Sequence, residues 1–141
     1  MRQGTGVVSQ ETERRQCHRH RYSETATQFE NTAQWDFHNE NTDWEGRADF
    51  VYTNSWDHAY DPAKAYTAWV KCLKPGGWLV LDHTCGHMSK ASNVLDPFGV
   101  THEAVMRLLE EHCGAIGRVV EVLDRMDDED DAAAVIVFQR N

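Results

Sequence analysis

Residues Ala48 to Thr84 constrain the fold of this chain more than any other stretch. An apolar run, Phe50-Val51-Tyr52, ends in the polar cluster Thr53-Asn54-Ser55-Trp56-Asp57-His58. A helix-like segment from Pro62 to Leu73 follows, with Pro62 suited to the first turn and Ala65, Trp69, Cys72 and Leu73 on one face. The turn text Leu73-Lys74-Pro75-Gly76-Gly77 leads to a second apolar run, Trp78-Leu79-Val80-Leu81, which ends in Asp82-His83-Thr84. Strand, polar tip, helix, turn, strand, polar tip is the pattern of a βαβ unit. Open α/β sheets bind ligands beyond the carboxyl ends of their strands, where both polar tips lie.

The chain's 141 residues suit one domain with a modest core. A net charge of −9 argues against a nucleic-acid partner, because phosphate contacts need clustered Lys and Arg. The one basic cluster is Arg14, Arg15, Arg19 and Arg21. No apolar run approaches a membrane span and no signal peptide is visible, so no membrane partner is expected. Cys17, Cys72, Cys85 and Cys113 form no CxxC pair, which fits reduced thiols in a cytoplasmic protein.

Elsewhere, Thr32 to Phe37 reads as a short strand ending in Asp36, and Asn39 to Gly46 as a polar loop. Residues Ala48 to Asn54 and Gly77 to His83 are the two strands of the unit. Lys90 to Gly99 is a loop with a turn at Asp96-Pro97. Thr101 is a good N-cap for a helix running to about Cys113 and closed by Gly114 and Gly117. Val119–Leu123 and Ala133–Phe138 are the last strands, joined by an acidic hairpin loop over Asp124 to Asp131 that reads as solvated. Residues 1–22 show no periodicity and are expected to be irregular, with residues 23–141 forming the folded part.

The text Asp49-Phe50-Val51-Tyr52-Thr53-Asn54, then Asp57-His58, then Leu73-Lys74-Pro75-Gly76-Gly77, resembles the class I S-adenosylmethionine-dependent methyltransferases in order, spacing and turn chemistry. The resemblance covers roughly Ser23 to the C-terminus. It implies an α/β, Rossmann-like open sheet in the order 3-2-1-4-5-7-6 with an antiparallel seventh strand. It also implies S-adenosylmethionine as cofactor and methyl transfer to a small-molecule acceptor. This chain offers text for the third to seventh strands, and the first strand is not visible. A domain lacking it leaves the edge of the fourth strand open, a site for pairing with a second copy. From that edge comes the alternative function, a non-catalytic fragment or pseudoenzyme acting by protein–protein association.

The glycine-rich cofactor loop has its nearest counterpart in Gly4-Thr5-Gly6, stripped of a preceding strand. The family places an acid for the ribose hydroxyls near the position of Arg21, in text like "VIGTDIS". Here Cys17-His18-Arg19-His20-Arg21-Tyr22 stands instead. Bases that encode it can spell Val-Ile-Gly-Thr-Asp-Ile when read one position later. Residues from about Val8 to Tyr22 are therefore read as an out-of-frame segment with the frame returning at Ser23, against the alternative of a diverged arm.

The resemblance assigns Asp36 to the adenine amino group, with Phe37 beside the ring, and puts Asn54 and Ser55 at the tip that faces the transferred methyl group. Each has a plainer reading, as strand-end turn chemistry. His58 beside Asp57 suits a general base oriented by a carboxylate, or a residue that borders the cofactor. His83 and His87 read as polar loop residues lining a substrate pocket, and Cys85 between them is not read as a nucleophile because the sequence fixes no electropositive partner for it. No metal site is expected from their spacing. Trp44 and Trp56 are candidate pocket walls.

Overall fold

The computed structural model describes residues 6–11, 14–21, 24–94, 97–124 and 133–141, with backbone alone for residues 6–24. Seven strands form one open sheet: β1 (Gly6–Glu11), β2 (Arg14–Arg21), β3 (Thr32–Gln34), β4 (Ala48–Thr53), β5 (Leu73–His83), β6 (Gly117–Asp124) and β7 (Ala134–Arg140). Their spatial order is β3-β2-β1-β4-β5-β7-β6. Helix α1 (Pro62–Cys72) crosses between the parallel strands β4 and β5, and α2 (His102–Cys113) connects β5 to β6. The last strand, β7, is antiparallel to both β5 and β6. The βαβ unit, the two helices and the four-strand block β4-β5-β7-β6 all lie where the sequence places them.

The N-terminal region differs from expectation. Strands β1 and β2 pair as a β hairpin, with β1 antiparallel to both β2 and β4, and β2 parallel to β3. The slot of the parallel first strand is thus filled by a strand of opposite direction. Polar, aperiodic text can still pair through its backbone, because every N–H and C=O in a sheet needs a partner whatever the side chain. The edge of β4 that was expected to be open is paired with β1. Pairing with a second copy through that edge is excluded in this arrangement.

The turn text before the fifth strand is drawn into β5. Ala48 pairs with Leu73 and Phe50 with Trp78, so residues 74–77 bulge opposite Asp49. Gly76 sits at φ 79, a conformation that costs glycine little, and a Cβ on Gly77 would lie 3.0 Å from the carbonyl oxygen of Asp49. Gly117, expected to end α2, instead opens β6, where a Cβ would collide with the Phe138 ring. The expected turn at Asp96-Pro97 and the acidic loop 125–131 lie wholly or partly outside the described residues.

Alternation along the strands fixes two faces. Val51, Leu79, Leu81, Ile136 and Phe138 are fully buried beneath α1 and α2, with Tyr66, Val70, Val105 and Leu109 closing the core. Helix α1 starts at Asp61, whose carboxylate accepts the Lys64 N–H at 3.1 Å, and α2 at Thr101, whose hydroxyl oxygen accepts the Ala104 N–H at 3.3 Å. Both helices lie on this one face of the sheet. No helix among the described residues is long and apolar enough to cross a membrane.

Candidate active site at the carboxyl edge of the sheet

The tips of β3, β4 and β5 carry three polar groupings. After β3, Asp36 and His38 close on each other: Asp36 Oδ1 accepts from the His38 backbone N–H at 3.0 Å and lies 2.7 Å from His38 Nδ1. His38 Nε2 faces the backbone N–H groups of Tyr60 at 3.2 Å and Asp61 at 3.4 Å. Two donors at Nε2 require that nitrogen to be the acceptor, so the proton sits on Nδ1 and points at Asp36. The Tyr60 ring stacks on His38 at 3.7 Å, and its hydroxyl donates to Asp36 Oδ2 at 3.2 Å. Burial pulls the Asp36 carboxyl upward, but the His38 backbone N–H, the His38 ring and the Tyr60 hydroxyl outweigh it and hold it below its usual range. This knot ties the end of β3 to the start of α1.

After β4, Ser55 is buried; its N–H donates to Thr53 Oγ1 at 3.1 Å and its hydroxyl to Asn54 Oδ1 at 3.2 Å. Trp56 is fully buried and donates Nε1–H to the Asp82 carbonyl at 3.0 Å. It therefore joins the tips of β4 and β5 as core, and does not wall an open pocket. Asp57 is buried to 1% exposure, with His58 Nε2 at 4.0 Å and His87 Nε2 at 3.7 Å from its Oδ1. The His58 side chain keeps 35% of its surface open.

After β5, His87 is buried and its Nδ1 accepts the Thr84 backbone N–H at 2.9 Å. Its protonated Nε2 donates to the Asn54 carbonyl at 3.1 Å. His83, also buried, donates Nε2–H to the Val100 carbonyl at 2.8 Å and stacks on Trp56. Neither histidine lines an open surface; both are struts between loops. Cys85 is exposed on the short turn between them. Among the described residues no group of three or more His, Cys, Asp or Glu is placed to hold a metal ion.

Gly6 opens β1 and pairs with Tyr52, two residues before Asn54. Gly4 lies outside the described residues. Arg21 ends β2 at this edge, where it pairs with Gln34. Phe37 packs against Trp69 at 5.5 Å and, with Trp35, Asn39 and Trp44, lines a shallow apolar cleft along α1. Sequence reasoning missed His38, Tyr60 and the bridging role of His87. Only His38 left a signal, two residues after an aspartate at a strand end, the spacing of an Asx-type turn.

No family model and no curated protein matches the chain. Solved structures do. A chain of the complex between a Haloferax volcanii methyltransferase activator and a methyltransferase superposes with a TM-score of 0.56 at 13% identity, over 77% of this chain and 60% of its own. The 1,6-didemethyltoxoflavin-N1-methyltransferase of Burkholderia thailandensis, with bound 1,6-didemethyltoxoflavin and S-adenosylhomocysteine, gives 0.57 at 12%, over 82% and 54%. The 16S rRNA (adenine(1408)-N(1))-methyltransferase from Catenulisporales acidiphilia gives 0.52 at 13%, over 77% and 61%. The fold is that of the class I methyltransferases. The chain spans 54–61% of the length of these neighbours.

Proposed function

We propose that this chain performs methyl transfer from S-adenosylmethionine to a small-molecule acceptor, with cofactor affinity lowered by its N-terminal hairpin, and acts in the cytoplasm. The observation that carries the reading is the contact of the Asp36 carboxylate with Tyr60, two residues past the Asn54–His58 tip, at the carboxyl edge of a methyltransferase-type sheet. The residues fit one half of the cofactor. Asp36 Oδ2, now bonded to the exposed Tyr60 hydroxyl, is an acceptor suited to an adenine amino group, and Phe37 and Tyr60 offer aromatic faces. The other half fits poorly: Arg21 stands where a ribose carboxylate is needed, and Gly6 is engaged in a strand ladder.

The cofactor, when bound, brings a methyl group already activated on a sulfonium. What remains for this chain is alignment and proton handling. Asn54 holds its side-chain amide at the tip through Ser55, and its carbonyl through His87. His58 has the open surface to take a proton from an acceptor N–H or O–H, and the buried Asp57 carboxylate stabilises the imidazolium that forms. Small-molecule acceptors suit an acidic chain of net charge −9 better than nucleic acid does.

Titrating S-adenosylhomocysteine against the isotope-labelled chain tests this. Amide shifts at Asp36, Phe37, Asn54 and Ser55 are expected, saturating in the high-micromolar range or above. The missing ribose carboxylate alone removes a charge-assisted bond of ~1.5–3 kcal/mol, about ten- to a hundredfold in affinity. Absence of shifts at millimolar ligand overturns the reading.

A further inference from the structure

We infer that Tyr60 occupies the adenine subsite of the free chain and sets which bases can take its place. The inference rests on the reading of Asp36 as the partner of the cofactor's base, and adds the residue that competes for it. Three rings stack at the end of β3. His38 stacks on Phe37 at 4.5 Å and on Tyr60 at 3.7 Å, each pair within 24° of parallel. Two rings held that close and that flat cannot share one face of an imidazole, so Phe37 and Tyr60 take opposite faces. Behind Phe37 lies Trp69, packed in the core at 5.5 Å. The approach to the His38 ring that the core leaves open is therefore the side Tyr60 covers.

The hydrogen bonds repeat the pattern. Asp36 Oδ1 takes two N–H groups of His38, and among the described residues Oδ2 has the Tyr60 hydroxyl as its partner, at 3.2 Å. That is long for a hydroxyl on a carboxylate, ordinarily ~2.5–2.7 Å. Tyr60 is also 68% exposed, so its ring is loosely held. Tyr60 thus makes two contacts, a ring face on His38 and an edge donor on Asp36 Oδ2. Adenine brings the same pair: a flat ring, and an amino donor bonded directly to the six-membered ring, as the hydroxyl is in a phenol. The His38 face admits one ring at a time, so the base binds where Tyr60 has swung out. A base with a carbonyl at that edge sets an acceptor against the carboxylate and is refused. Self-occupancy lowers the apparent affinity by the fraction of chains in which the face is free.

Adenosine, which carries the base without the methionine arm, is the probe, titrated into the isotope-labelled full chain with inosine as control. In the parent it should move the Asp36 and His38 amides and erase the nuclear Overhauser contact between the Tyr60 and His38 rings. Tyr60→Phe drops the edge donor and should bind adenosine about threefold more tightly. Tyr60→Ala frees the face as well and should bind it about tenfold more tightly. Inosine should bind each chain about tenfold more weakly than adenosine. A Tyr60→Ala chain that binds adenosine no better than the parent, a Tyr60–His38 ring contact that survives saturation, or equal binding of inosine would each overturn the proposal, as would adenosine binding to none of the three chains. If S-adenosylhomocysteine binds as described above while Tyr60→Ala gains nothing, this inference fails and the methyl-transfer reading stands. A gain for adenosine in Tyr60→Ala with no S-adenosylhomocysteine bound reverses that outcome.

Discussion

His87 joins the tips of β4 and β5, and cutting that link has a calculable cost. Its ring makes two hydrogen bonds, Thr84 N–H to Nδ1 at 2.9 Å and Nε2–H to the Asn54 carbonyl at 3.1 Å. It also packs on Trp56 at 5.0 Å. His87→Ala removes both bonds at ~1 kcal/mol each and leaves a partly filled cavity worth about 1 kcal/mol more, for roughly 3 kcal/mol. In urea, with a slope of ~2 kcal/mol/M, the midpoint should fall by about 1.5 M. Two replacements split the effect. An Asn amide oxygen reaches the place of Nδ1 and keeps the Thr84 bond, whereas a Gln amide nitrogen reaches the place of Nε2 and keeps the Asn54 bond. Each should recover about 1 kcal/mol. Amide exchange should then divide by site: Thr84 stays protected in His87→Asn and loses protection in His87→Gln. A midpoint for His87→Ala within about 0.3 M of the parent, or identical exchange at Thr84 in the two replacements, would refute the bridge.

Asp36→Ala should weaken S-adenosylhomocysteine binding by around tenfold, read from the shift titration, because one hydrogen bond is lost while stacking remains. Asn54→Ala should lower turnover with any accepted small molecule more than it lowers cofactor affinity, as single-turnover rates against binding will show. Asp61→Ala should cost about 1 kcal/mol in urea unfolding by removing the cap of α1. The Asp36 carboxyl lies below its ordinary range in the folded chain, so its contribution is present above the unfolded value and is lost as pH falls through the folded one. Asp36→Asn should therefore flatten the acid limb of the thermal midpoint against pH below about 4, and leave its slope near neutrality unchanged.

The sequence made the centre of this fold readable because there the local signals agree. Phe50-Val51-Tyr52 and Leu79-Val80-Leu81 alternate faces, Pro62 and Thr101 mark helix starts, and the crossover rule does the rest. Residues 6–21 were not readable. Their hairpin is held by backbone ladders to β4 and β3, partners far along the chain that no window of polar text reveals. At the site, Asp36, Asn54 and His58 stood out as strand-end polar residues. Whether a strand-end histidine faces solvent or props a loop depends on donors supplied from elsewhere. His38 is fixed by backbone N–H groups 22 and 23 residues on, and His87 by a carbonyl 33 residues back. Trp56 looked like a pocket wall from its polar neighbours, but Trp78 is the more exposed ring.

The His38 knot has a mechanical consequence. Among the contacts that hold Asp36 to the rest of the domain, two tethers are of different build. One is the ladder from β3 through β2 and β1 to β4; the other is the histidine that clasps the backbone of Tyr60 and Asp61. The first tether runs through three strand pairings and every one must hold. The second spans a single side chain. Cleaving the chain ahead of Glu24 severs the first tether and leaves the second whole, so the carboxylate should keep its place against Tyr60 in a protein stripped of its hairpin. The hairpin is then a replaceable cassette, and a different N-terminal segment can be fitted to β4 without resetting the residues that face it.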